Sequence, residues 1–271
     1  MAKNDNKLKS PLIDKSKKHK ILIGNSLDLL DEIKNNSCNL VFADPPYNMN
    51  KKFGNNIDSW STPEDYTNWC ISWIRKCIDK LTPDGTIMIM GHPRYASYLI
   101  PFLDRNLNYV NQIVYHYTDG MPEKKNFEKR YEVILYYRKN DEKYTFNVDD
   151  VRVPLVRYDK TSNANGKNPS DVWQIHRVRW NSKERISLEN GKIAHAAQKP
   201  IRLLRRIILA STNENDRILD PFLGTGTTSV AAKELNRKSI GIEMNPDYAK
   251  VALDRINDVK KIKEDFDSEK R

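Results

Sequence analysis

The run Cys38-Asn39-Leu40-Val41-Phe42-Ala43, halted by Asp44-Pro45-Pro46-Tyr47, constrains the fold more than any other segment. A nearly unbroken apolar run of this length suits a strand covered on both faces, as in the parallel sheets of α/β proteins. Two successive prolines forbid its continuation as strand or helix, so Asp44–Tyr47 is a loop at a strand's carboxyl end. Open α/β sheets place their ligands at such ends.

The rest of the chain agrees with an α/β reading. Strands are expected at 20–24, 86–90, 112–117, 131–137, 217–220 and 238–243. Helices are expected at 27–34, 63–81, 94–106, 200–211, 229–235 and 246–260. Asn25 or Ser26 would cap the first helix, Thr82-Pro83-Asp84-Gly85 reads as a turn, and the polar stretch 48–62 as a mobile loop. Trp69 and Trp73, at i and i+4, read as core residues. His92, His116 and His176 lack metal-ligand spacing, so no metal is expected. At 271 residues the chain fits one large domain with an insertion. Its mean hydropathy of −0.74 and the lack of a long apolar run exclude a transmembrane helix. The opening residues lack the apolar core of a signal peptide, and Cys38, Cys70 and Cys77 follow no metal-binding pattern. The expectation is a cytoplasmic protein with reduced thiols.

Forty-six Lys and Arg against 36 Asp and Glu leave a net charge of +10, which suits a polyanionic partner. Residues 1–19 read as a flexible basic arm and 261–271 as a charged tail. Between 140 and 195 helical periodicity fades. Residues 151–185 carry eight Lys or Arg against three Asp or Glu, interleaved with Tyr158, Trp173 and Trp180. Arg152, Arg157, Lys167, Arg177, Arg179 and Arg185 are the candidates for gripping phosphates or reading bases, and 163–169 is a candidate groove-facing loop.

Residues 217–243 form a strand, glycine loop, helix and second strand. Gly224 and Gly226 would let the backbone approach a ligand at the helix N-terminus. Glu243, 19 residues after Gly224, ends the second strand where a carboxylate can hold ribose hydroxyls. No Gly-Lys-Ser/Thr follows, and the third glycine of the dinucleotide fingerprint is missing. The segment therefore suits a nucleoside cofactor without pyrophosphate, such as S-adenosylmethionine.

The Asp44–Tyr47 loop has the groups needed to activate an exocyclic amine. The lone pair of adenine's amino nitrogen is delocalised into the ring. A carboxylate, Asp44, and the Pro45 carbonyl can accept its two N–H hydrogens and free that pair. Pro46 stiffens the loop. Tyr47 offers an aromatic face to a base removed from its stack and to a sulfonium cation.

With these residues the chain resembles the β-class of amino-group DNA methyltransferases of restriction–modification systems, specifically the adenine-N6 enzymes. The resemblance covers about residues 20–257. Ala43-Asp44-Pro45-Pro46-Tyr47-Asn48 is similar to their catalytic motif, and Leu219–Thr228 to their cofactor motif. Ile240–Glu243 is similar to the acidic strand, Gln198-Lys199-Pro200 to the segment before the cofactor helix, and Gly24–Asp28 to a flanking motif. In place of the family's usual His-Pro-Thr, this chain has His195-Ala196-Ala197.

The resemblance implies an α/β fold. Its core is a Rossmann-like methyltransferase sheet, mostly parallel with an antiparallel strand and helices on both faces, and a target-recognition region is inserted into it. Residues 20–139 would be the catalytic half, 140–195 the target-recognition insertion and 196–260 the cofactor half. S-adenosylmethionine would contact Ser26, Asp28, Asp44, Lys199, Asp220, Phe222, Gly224, Thr225, Gly226, Thr227, Thr228 and Glu243. Asp44, Pro45, Pro46 and Tyr47 would act on adenine in double-stranded DNA. A homodimer and a cognate restriction endonuclease are implied in the same way. The family's cytosine-N4 enzymes usually carry Ser at the position of Asp44. RNA or protein-glutamine enzymes usually carry Asn there. A non-catalytic DNA-binding subunit would not need both motifs intact, and a nicotinamide oxidoreductase would leave Asp44–Tyr47 without a role.

Overall fold

The apolar run 38–43 lies in the middle of a nine-stranded sheet in the computed structural model. The structure describes residues 10–50, 52–53, 56–120, 122–155, 166–179, 182, 184–186 and 198–259. In chain order the elements are β1 (Leu12–Ile13), β2 (His19–Ile23), α1 (Ser26–Leu29), β3 (Cys38–Ala43), β4 (Lys52–Phe53), β5 (Asn56–Ile57), α2 (Pro63–Lys80), β6 (Leu81–Gly91), α3 (Pro93–Asn106), β7 (Asn108–His116), β8 (Tyr131–Arg138), β9 (Val172–Gln174), α4 (Ile201–Ser211), β10 (Arg217–Asp220), α5 (Thr227–Glu234), β11 (Lys238–Glu243) and α6 (Pro246–Asn257).

The large sheet has the order β1-β2-β11-β10-β3-β6-β8-β7-β9, and β4 and β5 form a separate hairpin. Strands β2, β11, β10, β3 and β6 are mutually parallel, and β8 runs against both β6 and β7. Alternation along β3 explains why its run is apolar throughout. Leu40 and Phe42 pack on the face covered by α4, α5 and α6. Val41 and Ala43 pack on the face covered by α1, α2 and α3. The helices begin where side chains supply caps. Thr62 Oγ1 accepts the Asp65 N–H at 3.0 Å, and Asn245 Oδ1 accepts the Asp247 N–H at 2.9 Å, each with proline at the first helical position.

Several expectations change. The helix foreseen at 27–34 is one turn of α-helix followed by a 3-10 turn at Leu30–Glu32. Leu29, Leu30 and Ile33 are buried all the same, but so short a segment gains little from propagation. The turn at 82–85 is absorbed into β6 as an irregularity in its register against β3. The arm does not extend to residue 19. Leu12–Ile13 pair with β2, the Asp14 carboxylate accepts the N–H groups of Ser16, Lys18 and His19, and Lys233 Nζ lies 3.0 Å from it. One aspartate thus organises a tight turn that composition hides. Residues 1–9 and 260–271 lie outside the described residues.

The described residues after 140 are fastened to the rest of the sheet and to α4. β9 pairs with β7, and Trp173 is buried with the Arg206 guanidinium 5.1 Å from its ring centre. Trp173 is therefore a packing residue rather than an exposed aromatic. Glu184 Oε1 accepts the Ile201 N–H at 2.6 Å and caps α4, whose N-cap residue Pro200 offers no side-chain acceptor. Tyr158, Trp180 and 163–165 lie outside the described residues. Cys38, Cys70 and Cys77 are buried free thiols. Among the described residues no helix is long and apolar enough to cross a membrane.

Candidate active site

The loops after β2, β3, β10 and β11 open on one side of the sheet, as parallel strands require, and enclose a cavity of about 350 Å³. That size falls in the range of small-molecule sites. Asp44, Pro45, Pro46 and Tyr47 line one part. Ser26, Asp220, Phe222, Gly224, Thr225, Thr227, Thr228 and Glu243 line the other, with Lys199 between them.

Asp44 sits at the centre of a charged cluster. The Tyr47 hydroxyl donates to Asp44 Oδ1, and Lys199 Nζ lies 3.2 Å from Asp44 Oδ2 and 3.1 Å from Glu132 Oε2. Burial pushes the Asp44 carboxyl above the usual carboxylate range; Lys199 opposes the shift and Glu132 adds to it. Burial alone would lower Lys199, but the two carboxylates hold its ammonium above the ordinary value. Burial and then the Asp44 and Glu132 charges raise the Tyr47 phenol, so its hydroxyl remains a donor.

The Asp44–Tyr47 loop is braced from outside. Asp58 Oδ2 accepts the N–H groups of Tyr47 at 3.2 Å and Met49 at 3.3 Å, and Asn48 Oδ1 accepts the Trp60 N–H at 2.8 Å. The Pro46 carbonyl accepts the Tyr66 hydroxyl at 2.8 Å. These bonds tie down both ends of the stretch expected to be mobile over 48–62; residues 51, 54 and 55 lie outside the described residues. Trp60, Trp69 and Phe222 form an aromatic wall, with ring centres 4.6 Å apart for the two tryptophans and 5.7 Å for Trp69 and Phe222. Trp69 therefore lines the cavity, while Trp73, one turn later, is fully buried.

In the opposite half, Asp220 accepts the Phe222 N–H at 2.9 Å and the Thr228 hydroxyl at 2.6 Å. Burial pushes its carboxyl up to about 7. Glu243 accepts the N–H groups of Gly224 and Asn245, both at 2.8 Å, and burial pushes it up to about 7. The Ser26 hydroxyl donates to the Pro221 carbonyl and joins the first loop to the glycine loop. A carboxylate at the end of β11, an aromatic wall and a glycine loop fit a nucleoside.

Two expected cofactor residues are not brought to the cavity. Asp28 is exposed in the first turn of α1, where its charge complements the helix N-terminus. Gly226 has φ +87° and faces α6, and a Cβ there would meet the Ala252 Cβ at 2.7 Å. Its missing side chain makes room for that helix. Lys199 lines the cavity, but its ammonium is engaged with Asp44 and Glu132. Sequence reasoning does not single out Glu132, Asp58 or Trp60. Glu132 arrives because β8 is antiparallel, so its first residues stand at the carboxyl ends of the parallel strands.

The expected DNA contacts divide. Arg152 is held by Asp149 at 2.7 Å and the Gly166 carbonyl at 3.1 Å, and Arg185 is part-buried with its Nη1 3.4 Å from the Val178 carbonyl. Both are turned onto the protein. Lys167, Arg177 and Arg179 are exposed. Arg157 lies outside the described residues, as do 195–197. Among the described residues no group of His, Cys, Asp and Glu could hold a metal ion.

A family model described as DNA methylase, of the N6/N4 type, matches residues 38–254. The type II methyltransferase M.HpaI of Haemophilus parainfluenzae is 36% identical over 240 residues, covering 88% of this chain and 74% of that protein. The DNA adenine methyltransferase YhdJ of Escherichia coli K12 is 37% identical over 254 residues, covering 88% and 82%. Among solved structures, the cytosine-N4-specific PvuII DNA methyltransferase has a TM-score of 0.71 at 22% identity and covers 92% of each chain. At that identity the likeness is one of fold, and the fold is the Rossmann-like sheet expected, with helices on both faces.

Proposed function

The chain belongs to the N6/N4 DNA methylase family of restriction–modification amino-methyltransferases, and from that premise we propose that it methylates the N6 amino group of an adenine flipped out of duplex DNA. The observation that carries the choice of base is Asp44, a carboxylate at the head of the loop and on the cavity wall. The fold does not decide it, since the cytosine-N4-specific PvuII enzyme has the same sheet.

S-adenosylmethionine supplies the methyl group on a sulfonium sulfur. Ser26, Asp220, Phe222, Gly224, Thr225 and Glu243 would hold it, with Glu243 accepting from ribose hydroxyls and the Trp60, Trp69 and Phe222 wall flanking it. Asp44 and the Pro45 carbonyl accept hydrogen bonds from the two amino N–H groups, which draws the nitrogen toward tetrahedral geometry and exposes its lone pair; as the N–C bond forms the methyl–sulfur bond breaks, and one N–H proton leaves to Asp44 or to water. Tyr47 stacks on the base. Lys199 opposes the rise that burial imposes on the Asp44 carboxyl, and Glu132 holds Lys199. Catalysis is mostly positioning and electrostatics, with the amine held in line with the methyl group. Residues 140–195 act as the target-recognition region between the catalytic half (20–139) and the cofactor half (196–260). A homodimer and a cognate restriction endonuclease complete the reading, both supported by likeness to restriction–modification enzymes alone.

The test is incubation of purified protein with S-adenosylmethionine and unmethylated genomic DNA, then digestion to nucleosides and mass spectrometry. N6-methyladenine is the expected product. N4-methylcytosine would overturn the choice of base and keep the mechanism.

A further inference from the structure

The connection between β7 and β8 leaves and re-enters the sheet at the rim where Asp44 lies. Its last residues lead directly to Glu132, which is 3.1 Å from Lys199. Phe127, in this connection, is fully exposed. A single exposed apolar side chain needs no special cause, but the surroundings of this one are unusual. Lys124, Lys125 and Lys129 are exposed in the same loop. Two of the connection's acids, Glu123 and Glu128, are engaged within it. Glu123 accepts the N–H groups of Lys124 and Lys125, and Glu128 pairs with Arg130.

The base of the loop is joined to the basic insertion. The Arg177 guanidinium lies 4.3 Å from the Tyr117 ring centre and donates to the Asp119 carbonyl at 2.9 Å, and Arg179 lies 3.8 Å from the Asp119 carboxylate. The three lysines and an exposed aromatic ring are thus carried by a connection whose base is joined to Arg177 and Arg179.

We propose that the β7–β8 connection is a DNA-contacting surface next to the target base, and that Phe127 is the wedge that enters the stack as the base leaves it. The proposal rests on the methyltransferase reading above. Extruding a base costs stacking on both its neighbours, and a ring that fills the gap recovers part of it. The lysines would meet the flanking phosphates and set the register. Phe127 is a positioning residue, since it acts on the stack and not on the reacting atoms.

The test compares single-turnover methylation of two duplexes, both carrying the site found by sequencing DNA methylated by the wild-type protein. One has the target base paired and the other has it mispaired. Phe127→Ala is expected to slow transfer about tenfold or more on the paired duplex. The loss should shrink to about threefold or less on the mispaired duplex, where the base is easier to extrude. Phe127→Trp should keep most of the wild-type rate. Affinity for S-adenosylmethionine, measured by calorimetry, should not change in either variant. Replacing Lys124, Lys125 and Lys129 with Gln should weaken DNA binding and flatten its logarithmic salt slope by about one for each phosphate no longer neutralised. A Phe127→Ala variant as fast as wild type, or one equally slow on both duplexes, overturns the proposal. A wild-type protein that binds S-adenosylmethionine but methylates no DNA base overturns the underlying reading instead.

Discussion

Asp44, just after β3, and Asp220, the last residue of β10, stand at the ends of neighbouring parallel strands, are both followed by proline and both line the cavity, yet they are satisfied in different ways. Asp220 is held by its own loop and helix, through the Phe222 N–H and the Thr228 hydroxyl. Asp44 is met by the tips of two side chains, the Tyr47 hydroxyl and the Lys199 ammonium. A main-chain N–H cannot leave without unmaking the loop. A phenol or ammonium on a rotatable stem can yield to an incoming donor. The same Asp-Pro pair is therefore locked into its own loop in one half and held by displaceable side chains in the other.

The largest effect should come from Asp44→Asn. Methyl transfer should fall by about 10³-fold or more, while affinity for S-adenosylmethionine changes little. Single-turnover kinetics with calorimetry would check both, and a large loss of affinity would erase the distinction between the two aspartates. Asp220→Ala should behave the opposite way. It leaves the Phe222 N–H and the Thr228 hydroxyl without their acceptor and should cost about 1–3 kcal/mol of stability, together with cofactor affinity. Thermal unfolding with and without cofactor reads this.

Gly226→Ala sharpens the contrast between cradle and helix packing. It forces a Cβ into Ala252 at a backbone angle that disfavours side chains, and should cost about 1–3 kcal/mol. Cofactor affinity measured well below the melting temperature should change less than it does in Asp220→Ala. A last effect concerns pH. Burial raises Glu243 from its ordinary range to about 7, so the folded protein binds a proton there more tightly than the unfolded chain does. That contribution stabilises below about pH 4.5 and is lost as pH rises through 7. Wild type should therefore lose stability relative to Glu243→Gln between about pH 4.5 and 7, and denaturant titrations across that range would show a constant difference if the shift were absent.

Much of the fold is legible in the sequence because its signals are local. The run 38–43, the stop at Pro45-Pro46 and the caps before Pro63 and Pro246 each act within a few residues. The catalytic and glycine loops follow from strand ends. Glu132 escapes such reading because its partner Lys199 is far away in sequence, yet one signal is there. It is the lone charge in Tyr131-Glu132-Val133-Ile134-Leu135-Tyr136-Tyr137, and a charge in an otherwise buried strand needs a partner. Gly226 reads as a ligand residue because the motif does not say which neighbour the missing Cβ spares. Arg152 and Arg185 read as outward-facing because composition carries no direction.

The pairing of β2 with β11 and of β3 with β10 also has a kinetic consequence. Ser26 and Pro221, joined by a hydrogen bond, are 195 residues apart in the chain. Bringing such distant strands together carries the entropy of closing a very long loop before any contact repays it, and contacts of this kind slow folding. During synthesis the stretch bearing Asp44 leaves the ribosome long before the stretch bearing Glu243. A nascent chain therefore has half a cavity until its last strand is in place, and activity switches on with completion of the sheet rather than growing with chain length.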